Sequence, residues 1–251
     1  MSGGARFEYL LRLGDSCLVL GHRVSEWCGH APELEEDIAL ANVALDLTGQ
    51  ADLLLGEAAR TEGRGRDADA LAFLRDAWDF RNLLICERPN GDFAHTIVRQ
   101  FLFDAWQVEL YAALTGSGDS ALAGIAGKAV KEAEYHLRHS GEWVVRLGDG
   151  TAESRTRAQA ALDALWPYTG EMFETDETSA ALAAAHVAPD PESLRPGWTR
   201  IVDSILGEAT LTKPQAGWMQ TGGFNGRHSE ALGHMLATMQ FLPRAYPGAK
   251  W

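Results

Sequence analysis

The sequence predicts an all-α protein: one bundle of long helices joined by short loops. Three observations carry that reading. Apolar residues recur at helical spacing along most of the 251 positions. Gly, Pro and Asp clusters cut the pattern into segments mostly too long for strands. No convincing alternating strand occurs; Trp143-Val144-Val145 is short and sits inside a helical pattern. Short connections between long helices make consecutive helices antiparallel neighbours.

The elements follow in order. A first helix from about Ala5 to Trp27 carries Leu10, Leu11, Leu13, Cys17, Leu18 and Leu20 and ends at Gly29. His30-Ala31-Pro32 opens a second, whose first turn places Glu33, Glu35, Glu36 and Asp37 at the positive end of the helix dipole. It runs to about Arg60 and stops at Gly63-Arg64-Gly65. Asp67 reads as the N-cap of a third helix through Phe73, Trp78 and Leu83. After the Pro89-Asn90-Gly91 break, Asp92 caps a fourth helix to about Leu114. A fifth starts at Asp119 or Ser120 and ends at Gly148-Asp149-Gly150. Thr151 starts a sixth, with a kink expected at Pro167. Beyond Thr175 the steps shorten: a helix near Ser179–His186, a Pro189/Pro191/Pro196 joint and a helix to about Ala209. The Thr221–Gly226 loop then leads into a last helix from Ser229 to about Arg244. This divides one domain, 1–251, into a core bundle (about 1–175) and a C-terminal helical extension (about 176–251).

Composition narrows the function. Against 35 Asp+Glu stand 22 Lys+Arg, a formal charge of −13, which argues against binding nucleic acid or an anionic membrane. Hydrophobic residues at 46% and charged residues at 23% exclude wholesale disorder. Cys17, Cys28 and Cys86 form no CxxC, so reduced thiols in the cytoplasm are expected rather than a disulfide framework. No window of about 18 uncharged apolar residues supports a membrane span. No GxSxG, GxxxxGK[ST] or GxGxxG occurs.

A long-helix bundle raises the di-iron question. Such sites use Glu-x-x-His pairs, because positions i and i+3 aim two ligands at one metal. None of the eight histidines has Glu three residues before it; Asp92…His95 alone has a carboxylate there, and Asp92 serves as a cap. Two polar rows remain: Asn42, Asp46 and Gln50 on the second helix, and Lys128, Glu132, His136 and His139 on the fifth. Spacing alone also allows each to be a solvated, salt-bridged face. Glu132–His136 and Glu230–His234 stand at i+4, and a self-sufficient metalloenzyme would draw its ligands from them. Lys128, Lys131, Arg138 and Arg146 concentrate positive charge that reads as a solvated face or as a contact for an acidic partner. Trp218 and Trp251, in loop and tail, are interface candidates.

Four stretches carry a resemblance. LRLGDSCLVLGHRVSEWCGHAPELEEDIALANVALDLTGQA, RPNGDFAHTIVRQFLFDAWQVELY, KEAEYHLRHSGEWVVRLGDGT and the closing TGG…GRHSEALGHMLATMQFLPRAYPGAKW resemble the phenylacetic acid catabolism C proteins. These are the structural subunits of bacterial ring-1,2-phenylacetyl-CoA epoxidases. The resemblance implies a ferritin-like bundle, a related catalytic subunit that holds a di-iron centre, and further subunits including a reductase. It implies no cofactor in this chain. The catalytic relatives carry Asp-Glu-x-Gly-His on the second helix and Glu-Glu-x-Phe-His on the fifth. On this sequence those motifs fall on Asp46-Leu47-Thr48-Gly49-Gln50 and Glu132-Ala133-Glu134-Tyr135-His136. Leu47 and Ala133 then stand for Glu ligands and Gln50 for a His, with His136 retained. Asp15, Asp46, Asp104, Glu132 and His136 would be the polar remnant, paired inside the bundle because unpaired buried carboxylates are costly. The role implied is a non-catalytic scaffold that meets its partner over roughly 2,000 Å² or more.

Overall fold

The computed structural model describes residues 3–215 and 217–249. Four long helices form the bundle: α1 (Gly3–Ser25), α2 (Leu34–Glu62), α4 (Phe93–Leu114) and α5 (Ser120–Gly148). Between α2 and α4 lie a short α3 (Ala68–Phe73) and two 3-10 turns, Ala77–Asp79 and Leu84–Glu87. After the bundle come α6 (Ala152–Leu165), α7 (Glu177–Ala184), α8 (Arg195–Glu208), α9 (Glu230–Met239) and α10 (Phe241–Ala245). No strand occurs among the described residues.

Local chemistry sets the ends of the core helices. Asp92 accepts from the His95 N–H, Asp119 from the Ala121 and Leu122 N–H groups, and Thr151 from Ser154. Each satisfies a donor that the first helical turn leaves open. Gly63 ends α2 at φ 69°, a left-handed turn that costs glycine nothing.

α1 and α2 pack as one antiparallel hairpin, α4 and α5 as another, and α2 meets α5 across the seam between them. α6 and α8 cover α4 and α5, while α7 lies on α1. As a result α1 is buried on every side from Tyr9 to Gly21. Burial at roughly 25 cal/mol per Å² of apolar surface from these helices is the main stabilising term.

Three expectations change. The third helix stops at Phe73 rather than reaching Leu83, because side chains from elsewhere take its carbonyls. Gln240 donates to the Ala72 and Arg75 carbonyls at 3.0 and 2.9 Å, and Arg244 to those of Phe73 and Arg75. Pro167 does not kink the sixth helix; α6 ends at Leu165 and a 3-10 turn, Trp166–Tyr168, carries the proline. The last helix divides at Gln240 into α9 and α10, since Pro243 has no N–H to continue the ladder.

The segment after α8 is fastened by two buried carboxylates. Glu171 accepts from the backbone N–H groups of Leu84, Gly222 and Gly223 at 2.8, 2.9 and 2.7 Å. Glu87 accepts from the Ser229 N–H at 2.6 Å and pairs with His228 Nδ1 at 2.8 Å. A Cβ on Gly223 would stand 2.2 Å from the Asn82 carbonyl oxygen, so only glycine fits there.

Candidate functional site

The centre of the bundle holds a polar network drawn from all four long helices. Its hub is Gln50 of α2, 2% exposed. The Gln50 Oε1 accepts from Gln107 Nε2 and from the Tyr111 hydroxyl of α4, both at 3.0 Å. Its Nε2 donates to Glu132 Oε2 of α5 at 2.9 Å. Cys17 of α1 completes the group, its Sγ 3.6 Å from both Gln50 Oε1 and the Tyr111 oxygen. Burial pushes the Cys17 thiol up to about 12 and raises the Tyr111 phenol, so both keep their protons at neutral pH.

One turn along the seam, His136 Nε2 lies 3.1 Å from Asp46 Oδ2. Burial lowers the His136 pKa, against the opposing pull of Asp46. A neutral ring facing a carboxylate must carry its proton on Nε2. That leaves Nδ1 as an acceptor, buried and without a hydrogen-bond partner among the described residues. Asp46 and Glu132 are only partly buried and form the rim of the seam.

Asp104 of α4 is fully buried and separate from this network. Gln100 Nε2 donates to it at 2.6 Å and the Ser140 hydroxyl at 2.7 Å. Burial pushes its carboxyl up to about 8, against those two hydrogen bonds. Asp15 stands elsewhere again. It takes a two-pronged ion pair from Arg75, with the longer contact at 3.0 Å, and accepts from the Arg81 backbone N–H at 2.8 Å. The expected grouping of Asp15 and Asp104 with the bundle-centre residues is therefore corrected: Asp104 is held by Gln100 and Ser140, and the partners of Asp15 come from the segment after α3, on another side of α1. Asp15 ties the bundle to that segment.

Leu47 and Ala133 are fully buried and bring no donor atom to the centre. Among the described residues, no three His, Cys, Asp or Glu side chains converge in an arrangement that could hold a metal ion. The free Nδ1 of His136 is a single nitrogen with apolar Leu47 and Ala133 at the marked ligand positions, so these residues do not fit a di-iron centre. Glu230 and His234 are exposed on α9.

The candidate contact residues are placed as follows. Lys128, Lys131, Arg138 and Arg146 are exposed on α5, with Arg138 lying over the Tyr135 ring and Arg146 over Trp143. Trp218 is 74% exposed. Trp251 lies outside the described residues. The network members missed by sequence reasoning are Cys17, Gln107 and Tyr111; for the last two, the i, i+4 spacing in the apolar run FLFDAWQVELYAAL was the available signal.

Four antiparallel core helices with an inward polar cluster at mid-length define a ferritin-like helical bundle. The chain belongs to the phenylacetic acid catabolic protein family, which it matches over residues 3–251. It is also 53% identical over 243 residues to the C subunit of 1,2-phenylacetyl-CoA epoxidase from Escherichia coli (strain K12). That match covers 97% of this chain and 98% of the relative.

Proposed function

We propose that this chain is a non-catalytic, structural subunit of a multicomponent phenylacetyl-CoA epoxidase in the cytoplasm. It supports a related catalytic subunit that carries the di-iron centre, within an assembly that includes a reductase, and holds no cofactor itself. One observation carries the reading. Where a ferritin-like oxygenase gathers carboxylates and imidazoles, this chain has Leu47, Gln50 and Ala133, and Gln50 is cross-linked to Gln107, Tyr111 and Glu132. Those hydrogen bonds hold α2, α4 and α5 in register without an ion. A buried polar cluster is tolerated when its members satisfy one another.

The test is elemental analysis of the chain expressed alone in iron-replete medium, with absorption spectra after added Fe(II). The expected result is far less than one iron per chain and no new charge-transfer band. Two irons per chain, the complement of a ferritin-like oxygenase, would overturn the reading. The chain would then be a metal-dependent oxidoreductase in its own right.

A further inference from the structure

We propose that His228 is a protonation-dependent latch: as an imidazolium it holds the start of α9 against residues 80–87, and losing its proton releases the strap of residues 224–239. The inference goes beyond the structural-subunit reading and stands without it.

The ring geometry carries the inference. The His228 side chain is 4% exposed and that of Glu87 1%. Nδ1 lies 2.8 Å from Glu87 Oε2, and Nε2 lies 3.0 Å from the Phe80 carbonyl oxygen. Both partners are acceptors, so both ring nitrogens have to donate, and only the imidazolium has two N–H groups. A neutral ring would set a lone pair against Glu87 or against the carbonyl, whichever tautomer it took. The other imidazole–carboxylate pairs differ. Among the described residues, His136 and His139 each engage a carboxylate through Nε2 alone, at 3.1 and 2.9 Å, which a neutral ring satisfies.

The groups around the ring decide whether it keeps that proton. Glu87 is fixed as an acceptor, because its Oε1 takes the Ser229 N–H at 2.6 Å and its Oε2 the Asn82 Nδ2 at 3.2 Å. Asp15 of α1 adds a more distant negative charge, offset by its own pairing with Arg75. Positive charge comes from Arg23 of α1, which donates to the backbone carbonyls of Glu87 and Ala231, and from Arg81, beside Gly226. Arg227 and Glu230, on the strap itself, are exposed. Burial works against the imidazolium, yet the bonds to Glu87 and Phe80 outweigh it and leave the His228 pKa raised.

The bound proton therefore works for the closed strap, and the direction of the response follows. A histidine whose pKa is raised by folding contributes stability that is complete below its unfolded value of about 6.5 and is lost as pH rises through the folded value. The strap has a fixed point on either side of the latch. Glu171 holds Gly222 and Gly223, and Gln240 holds the Ala72 and Arg75 carbonyls. Release of the ring between them lets α9 lift from the body. It uncovers Leu232, Met235 and Leu236, which are buried while the strap is closed.

The test follows the full chain from about pH 7 to about pH 9, the range in which a raised imidazole loses its proton. Nitrogen NMR of the histidine-labelled chain, with His228 assigned from His228→Gln, should show both ring nitrogens protonated at the lower pH. Tryptic cleavage after the exposed Arg227, normalised to a peptide spanning that bond, should rise about threefold or more across the range. In His228→Gln cleavage should be fast at both ends, because the imidazolium is gone. Asp104→Asn removes the other group that titrates there and should keep the response. Glu87→Gln turns the pair round: its amide can donate to Nδ1 of a neutral ring while the Nε2–H keeps the Phe80 carbonyl. That variant should stay closed, with cleavage independent of pH. A neutral wild-type His228 at about pH 7 would overturn the proposal. So would a wild-type cleavage rate that does not change with pH, a response abolished by Asp104→Asn, or one left intact by Glu87→Gln.

Discussion

Replacing Gln50 with leucine keeps the volume of the hub and removes both of its hydrogen-bonding atoms. Two buried donors then lose their acceptor: Gln107 Nε2 and the Tyr111 hydroxyl, each now at 3.0 Å from Gln50 Oε1. An orphaned buried donor costs about 1–3 kcal/mol. Each has a weaker fallback in Cys17 Sγ, at 3.5 Å from Gln107 Nε2 and 3.6 Å from the Tyr111 oxygen. Glu132 is partly exposed and turns to water. The lower half of the range therefore applies to each donor, giving a loss of about 2–4 kcal/mol for Gln50→Leu. In a protein of this size that is a fall of about 4–16 °C in melting temperature. Urea unfolding of Gln50→Leu, Tyr111→Phe and the double variant isolates the cause. In the leucine background Tyr111→Phe removes an orphan rather than a bond, so the double variant should be more stable than the sum of the singles by about 1 kcal/mol or more. A Gln50→Leu loss below about 1 kcal/mol, or strict additivity, would refute the hub.

Asp104 predicts a pH dependence with a definite sign. Its carboxyl sits at about 8 in the folded chain, well above the roughly 3.9 of an unfolded aspartate. The folded state thus binds the extra proton between those values, and stability from this group is lost as pH rises through that window. The stability difference between wild type and Asp104→Asn should shift against the wild type from about pH 5 to about pH 8 and then level off; a difference independent of pH would show an ionised, ordinary carboxylate. Glu171→Ala strands three backbone donors, at about 1–3 kcal/mol each, and should speed tryptic cleavage at Arg227 many-fold, with Glu171→Gln between it and wild type. Gly223→Ala should lower the urea midpoint, because its methyl group overlaps the Asn82 carbonyl oxygen.

Much of the bundle is legible in the sequence because its signals are local. Asp92, Asp119, Thr151 and Gly63 act within a few residues of themselves, and each sits at a helix end in the structure. The third helix is shorter than its local pattern implies because Gln240 and Arg244, some 165 positions away, take the carbonyls a longer helix would need. The site is half legible. Rows on α2 and α5 stand out as polar breaks in apolar runs, whereas Cys17, Gln107 and Tyr111 look like core filler until four helices are placed together. Asp15 has an unforeseen partner, since spacing along α1 says nothing of which distant segment faces it. The apolar run of α2 gives no sign of which side faces outward, since apolar residues lie on both sides of the helix.

The two carboxylates that fasten the 222–229 stretch have a consequence for how the chain is made. Glu171 and Glu87 gain their partners from Gly222, Gly223, His228 and Ser229 only when those residues arrive. On the ribosome, the four long helices emerge well before that stretch does. The nascent bundle would wait with two negative charges uncovered beside the 80–88 segment, and the later residues would close it like a buckle. Chains cut short just before Gly222 should therefore be recognised as unfinished by proteases and chaperones, even with every core helix already synthesised. Folding of this bundle is complete only when residues far beyond its last long helix have left the ribosome.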